Sequence, residues 1–300
     1  MQTAPDARDL REPTRLFNRA FILPLQGQAV SRLGSQLAFV AVALWLKQAA
    51  DSATVYGLVQ MLASLPAALL APLGRVSTGL RPQRRVLLLA DAVHAAASLS
   101  LAALALLPPD AAPLTLGWLL VALIAAGTAG ALFEPAFSAT LPDLVPDGSL
   151  TRANALRQLA LQLSAVSGQG LGGLLFRLLG GPVLFIVNGL AHALAAASHL
   201  CARPSPAHAQ TGSGWGQHLR AARSDLRVGY RYVRQRRGLR RLILGAASLT
   251  FFSLPVITLL PFYIDDVLGG APDWYGFTLA AFGVGSLAGF LAATSIRLSG

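Results

Sequence analysis

From Phe21 onward, long runs of mostly apolar residues are separated by short stretches rich in Arg, Asp, Pro and Gly. Crossing the hydrocarbon core of a bilayer takes about 20 consecutive apolar residues. Leu/Ala-rich runs of that length satisfy their own backbone in lipid only as helices. The pattern predicts eight membrane spans, at 21–46, 54–74, 85–107, 114–134, 154–178, 182–201, 240–264 and 275–296. Cations collect on alternate connections. Arg8, Arg11, Arg15 and Arg19 precede the first span, and Arg75, Arg81, Arg84 and Arg85 follow the second. Arg152 and Arg157 follow the fourth, and an Arg-rich loop follows the sixth. The other connections hold Lys47 with Asp51, then Asp110, a short turn near Arg177, and Asp265, Asp266 and Asp273. The positive-inside bias places the N-terminus and the central loop in the cytoplasm.

Composition agrees on the solvent. Hydrophobic residues make up 54% of the chain and charged residues 12%, against about a quarter charged in an ordinary soluble domain. That is too little polar surface to coat a water-facing globule. The net charge of +11 lies between apolar runs, so it speaks for membrane orientation and against a nucleic-acid partner. The single Cys201 cannot form an internal disulfide, and neither a metal nor a cofactor is expected. No cleavable signal peptide is expected, because the polar, Arg-bearing first 20 residues lead into a run too long for a signal core.

Four regions follow: a cytoplasmic tail at 1–20, six spans within 21–202, a basic linker at 203–238, and two further spans within 239–300. The linker opens with RPSPAHAQTGSG, flexible by composition. Trp215, Leu219, Ala222, Leu226, Tyr230 and Val233 then recur at helical spacing, with Arg220, Arg223, Arg227, Arg231 and Arg234 on other faces. This suits either a helix lying on the anionic inner leaflet or a plain cationic loop. TVYGLVQMLASLPAALLAPLGR (Thr54–Arg75) is echoed by DWYGFTLAAFGVGSLAGFLAAT (Asp273–Thr294), aligning Tyr56-Gly57 with Tyr275-Gly276. Spans two and eight would then be equivalents in two parallel six-helix halves.

LFEPAFSATLPDLVPDGSL (Leu132–Leu150) threads Glu134, Asp143 and Asp147 among Pro135, Pro142 and Pro146. Paired carboxylates in a catalytic loop would need a second polar constellation, and the sequence offers no nucleophile–base pair or metal cluster. An enzyme is therefore not expected. The alternative is a turn in which Pro135 kinks or ends the fourth helix, Pro142 and Pro146 keep the chain extended, and a new helix begins at Leu150–Asn154.

Here the chain resembles the major facilitator superfamily, and particularly its bacterial exporter group that includes enterobactin-exporter-like proteins. GQAVSRLGSQ (Gly27–Gln36) is similar to that group's first-helix motif, and GRVSTGLRPQRRVLLLAD (Gly74–Asp91) sits where its basic connection belongs. FEPAFSATLPDLVPDGSLTRANAL (Phe133–Leu156) is the most specific match, and GLGGLLFRLLGGPVLFIVNGL (Gly170–Leu190) resembles the fifth helix and entry to the sixth. The resemblance implies an all-α membrane bundle with a complete six-helix N-terminal half and the first two helices of a C-terminal half. Relatives have twelve helices, so the sequence reads as a fragment lacking the last four.

Ionisable groups at membrane depth are functional candidates by default. Arg32, with Gln28, Ser31 and Ser35, makes a polar patch between Gly27 and Gly34. It lines a cavity, or else snorkels or pairs with an acid. Asp91 and His94 share a helical face; Asp91 is placed to bind Arg84, Arg85 or a neighbouring helix. His94 suits proton handling or packing, and His192, one turn beyond Asn188, bridges helices or lines the cavity. Two departures stand out. Relatives carry Asp where this chain has Ser35, and no acid lies between Asp51 and Asp91 where their basic motif has one.

The resemblance then implies a secondary transporter exporting a small organic molecule by alternating access, with proton antiport as its energy source. Expected cavity residues are Gln28, Arg32, Ser35, Gln36, Glu134, Phe252 and Tyr263, with Phe251 adding to the apolar wall. Arg75, Arg84, Arg85 and Asp91 form the expected gating network, and Asp91, His94, Glu134 and His192 the proton-coupling set. The competing expectation is a non-transporting remnant or interaction partner of the same fold.

Overall fold

The computed structural model of the protein describes residues 16–70, 83–105, 112–146, 148–201, 224 and 227–295. Arg8, Arg11, Arg15, Arg75, Arg81, Asp110, Asp147 and most of the basic linker lie outside these. The described residues form α1 (Arg19–Ala50), α2 (Ala53–Leu70), α3 (Gln83–Leu104), α4 (Ala112–Leu144), α5 (Leu150–Cys201), α6 (Arg237–Phe262), a π-helical turn (Tyr263–Val267) and α7 (Pro272–Ser295). Within the linker, 227–235 is also helical. The helices α1 to α6 include six segments long and apolar enough to cross a membrane.

Asn18 starts α1: its side chain accepts the Phe21 N–H at 2.8 Å and its Nδ2 donates to the Leu144 carbonyl at 2.9 Å. One contact caps α1 and ties it to the end of α4. Asp51 closes α1 at a φ of 41°, a left-handed conformation that Asp tolerates.

One predicted boundary moves. The fourth span was expected to end near Pro135, yet α4 runs through Pro135 and Pro142 to Leu144. Ala136, Phe137, Leu141 and Leu144 are buried there against Phe21, Val86, Leu87 and Ala153. That packing offsets the backbone bonds the prolines remove. Only the short Val145–Ser149 connection remains, with Gly148 at a φ of 79°.

The predicted fifth and sixth spans are the two arms of α5, which meet at Gly180 between the expected ends at 178 and 182. One straight helix of 52 residues would reach about 78 Å, more than twice the hydrocarbon core. Gly180, at φ 80° and ψ 166°, breaks it, a conformation open to glycine and strained for other residues. The contacts with α1 show a hairpin. Gly168 and Gly172 meet Gln36 and Val40 in ascending order, whereas Gly27 and Gly34 meet Ser198 and Ala191 in descending order. The arms before and after Gly180 therefore run in opposite directions along α1.

The two ends of the bundle are built differently. One large apolar cluster draws on every helix, from Val40 and Leu46 through Tyr56, Leu101, Leu119 and Phe185 to Phe262, Ile264 and Tyr275. At the other end, the Phe21–Phe137 cluster contains residues of α1, α3, α4 and α5 and the short connection after α4. The N-terminal half thus meets α6 and α7 at one end and parts from α6 toward the other. Most of α6 is exposed, and among its residues Pro261 and Phe262 are buried. Its outward Leu, Ile and Phe residues suit lipid.

The α5–α7 seam is backbone-close. A Cβ added at Gly276 would lie 2.7 Å from the Gln169 carbonyl oxygen and 2.9 Å from the Gly173 nitrogen. Gly276→Val is expected to cost roughly 1–3 kcal/mol, as overpacking does. A thermal scan in detergent should then show a melting point lower by several degrees, whereas the same change at Gly57, where a Cβ meets nothing within 4 Å, should leave it nearly unmoved.

Candidate functional site

A polar cavity of about 430 Å³ opens inside the N-terminal half. It is lined by Gln28, Ser31, Arg32 and Ser35 of α1, Asp91 and His94 of α3, Phe133 and Glu134 of α4, and Arg157, Gln158, Gln162 and His192 of α5. The lining comes from α1, α3, α4 and both arms of α5, with Arg157, Gln158 and Gln162 before Gly180 and His192 after it.

Arg157 organises one wall. It is 3% exposed. Its Nε donates to Gln28 Oε1 at 2.8 Å, and its Nη2 donates to Glu134 Oε2 at 2.6 Å. The guanidinium also stacks 4.8 Å from the centre of the Phe137 ring. One cation therefore joins α1, α4 and α5.

A second chain crosses the opposite wall. Asp91, 1% exposed, lies with Oδ1 at 2.9 Å from His192 Nδ1, and His192 Nε2 is 2.9 Å from Ser35 Oγ. His199 Nε2 approaches the other Asp91 oxygen at 3.4 Å. His94 stacks on His192 at 4.5 Å between ring centres and donates its Nδ1–H to the Ala90 carbonyl. Nearby, Asn188 donates to Ser98 Oγ at 2.8 Å.

The polar cavity adjoins an apolar one of about 420 Å³, walled by Phe39, Val42, Leu101, Leu123 and Phe185. Ser35, His94 and Gly130 border both. A ligand in the two chambers would meet hydrogen-bonding groups at one end and hydrocarbon at the other.

Of the expected cavity residues, Gln28, Arg32, Ser35 and Glu134 line the polar chamber. Gln36 bonds Gln169 at 2.8 Å instead, bracing α1 against α5. Phe252 and Tyr263 stand apart, at 72% and 51% exposure, as does Phe251 at 71%; the apolar wall comes from Phe39, Leu101, Leu123 and Phe185. Arg84 donates to the His199 and Leu200 carbonyls, holding the end of α5 in the manner of a helix cap. Arg85 points outward. Asp91 thus pairs with histidines of a neighbouring helix, and Arg84 with that helix's backbone. Arg157 and His199 were missed. Arg157 reads as a loop cation, yet Arg157, Gln158, Leu161 and Gln162 share one helical face, which is the signal that places it inward.

At the opposite end, buried Lys47 meets three carboxylates: Asp51, Asp265 at 3.3 Å and Asp266 at 2.6 Å. Its ammonium also lies 5.1 Å from the centre of the Phe262 ring. Arg177 pairs with Asp273 at 3.2 Å. These contacts bind α1 and the α5 hairpin to the segments after α6.

The Arg157–Glu134 pair is asymmetric, with side chains 4% and 60% exposed. Glu134→Ala strands a buried cation and is expected to cost roughly 2–4 kcal/mol. Arg157→Met leaves a carboxylate that water can reach and is expected to cost about 1 kcal/mol. Thermal unfolding of both variants checks this, and a larger loss for Arg157→Met would reverse the assignment.

Residues 15–299 match the family described as transmembrane secretion effector. The chain is 25% identical over 269 residues to macrolide efflux protein A of Streptococcus pyogenes and to the protein of that name in its serotype M6 strain. The match covers 88% of this chain and 64% of each relative, so the chain spans just under two thirds of their length. With its membrane-length helices and this match over nearly its whole length, the chain is a multi-pass membrane protein that belongs to the transmembrane secretion effector family of the major facilitator superfamily.

Proposed function

We propose that the protein exports a small amphiphilic organic molecule from the cytoplasm by alternating access, driven by proton antiport. The observation that carries this reading is the paired chamber, with Arg32, Glu134 and the Asp91–His192–Ser35 chain on one side and hydrocarbon on the other. Its volume falls in the range of drug-sized sites. Membership of the secretion effector family and the name of the macrolide efflux relative support export over import.

The end holding Lys47 is latched and the end holding Asn18 and Leu144 is where α6 diverges. With the cation-rich connections inside, this is a cytoplasm-facing state in the plasma membrane. The tail at 1–20 and the linker at 203–238 are then cytoplasmic and flank the six-helix half at 21–202. The two spans within 239–300 belong to the second half, and the linker's arginines face anionic lipid. Asp91 and His192 carry the coupling proton, with His94 and Glu134 beside them. Arg32 has no ion-pair partner among the described residues and is the group offered to the cargo.

Cells expressing the full-length protein should accumulate about severalfold less erythromycin than control cells, a difference a protonophore abolishes. Asp91→Asn should restore accumulation to the control level, because a neutral amide cannot stabilise an imidazolium. Unchanged efflux after Arg32→Ala would remove that residue from the cavity, and protonophore-resistant efflux would remove the proton. Reporter fusions placing the Pro108–Pro113 turn and the central linker on one side of the membrane would overturn the orientation.

A further inference from the structure

Ser35 stands where the resembled group carries an acid, and it touches a buried acid through one imidazole. Asp91 is a carboxylate and can only accept, so His192 carries a proton on Nδ1 and donates it to Asp91 Oδ1 at 2.9 Å. In the neutral ring Nε2 is then a bare lone pair. Ser35, 2.9 Å away, must donate its hydroxyl hydrogen to it and turn oxygen lone pairs toward the chambers it borders. When Nε2 takes up a proton, it becomes a donor. Ser35 then accepts, and its hydrogen rotates outward.

We infer that Ser35 is a hydrogen-bond polarity switch that converts the protonation of His192 into acceptor or donor character at the junction of the two chambers. This deepens the antiport reading and rests on it. One proton is gained at Nε2, Ser35 keeps its own, and no covalent bond changes. The neutral state accepts an N–H hydrogen from an ammonium or amide of the cargo, a group that cannot accept in return. The protonated state presents a donor to that same group and expels it. The sign is that of an antiporter, since the acidic side promotes release. The cargo class follows: a hydrogen-bond donor must sit at the boundary between its polar and apolar parts.

The other charged or titratable groups around His192 fit this assignment. His94 on α3 stacks on its face and donates to a backbone carbonyl. His199, on the same arm of α5, reaches the second Asp91 oxygen. Arg32 lies one turn before Ser35 on α1, and the Arg157–Glu134 pair is held across the cavity by Gln28. Asp91 is the acid that His192 touches directly.

Two measurements on the full-length protein test the switch. Nitrogen-15 NMR of histidine-labelled protein in nanodiscs, with His192 assigned by His192→Gln, should show its neutral ring in the Nδ1–H form. The Nε2–H form, ordinarily favoured by free histidine, would overturn the inference. In proteoliposomes, Ser35→Ala should lower pH-gradient-driven erythromycin accumulation by about tenfold, the scale of one lost hydrogen bond to a charged group, and flatten the dependence of erythromycin release on the pH of the receiving side. Ser35→Thr should stay within about twofold of the parent. A pH dependence of release left unchanged by Ser35→Ala would reduce Ser35 to a packing role and overturn the switch. Absence of gradient-driven transport in the parent protein would sink the antiport reading instead, and the tautomer would then decide on Ser35 alone.

Discussion

An ionised group in the interior of a membrane bundle must have a partner, and that constraint ties these helices together. Lipid gives no hydrophobic drive for one helix to pack on another, so close backbone approach and polar bonds must hold them. Arg157 bonds α1 and α4 from α5, Asp91 reaches α5 from α3, and His192 passes the connection on to α1. Lys47 does the same between α1 and the turn after α6. Gly27, Gly34, Gly168 and Gly172 let α1 settle between the arms of α5, close enough for those side chains to meet. The groups that make the cavity polar are the groups that brace the half-bundle.

The bracing is unequal along the bundle. At one end, Lys47 with its carboxylates, Arg177 with Asp273, and the cluster around Tyr56 and Tyr275 join the two halves. Tyr56 of α2 and Tyr275 of α7 are both almost wholly buried in one cluster. The end around Phe21 and Phe137 draws instead on α1, α3, α4, α5 and the connection after α4. The Lys47 contacts are mostly solvent-accessible on their acidic side, at 53% to 76% exposure. Lys47 itself is buried, so parting it from all three carboxylates strands a cation unless water reaches it.

The lipid-spanning class of the fold was plain in the sequence because run length and charge scarcity are local signals. Glu134 and Arg32 were legible for the same reason: a charge beside a long apolar run has few alternatives. What local pattern concealed was tertiary. Pro135 and Pro142 read as stops, yet burial of Phe137 and Leu141 outweighed their local preference. Arg157 followed the cation-counting rule for loops and proved to be the most connected buried cation of the cavity. Phe252 and Tyr263 were placed in the cavity by analogy with helix order, whereas the helix they belong to touches the rest chiefly at its end. His199 gave no signal, since a histidine near a helix end reads as interfacial until Asp91 is seen opposite.

The Asp91 network is incompletely satisfied, and that bears on how firmly it holds one arrangement. Among the described residues, Asp91 Oδ2, His199 Nε2 and Asn188 Oδ1 are buried without a hydrogen-bond partner of good geometry. A fully satisfied buried network would rigidify one arrangement, and breaking it would cost the desolvation of every member. Three frustrated atoms beside a shared carboxylate lower that difference. Asp91 can move from His192 toward His199 at 3.4 Å without passing through an unpaired state. An equilibrium between two conformations responds to a proton or a cargo only when the two lie within a few kcal/mol of each other.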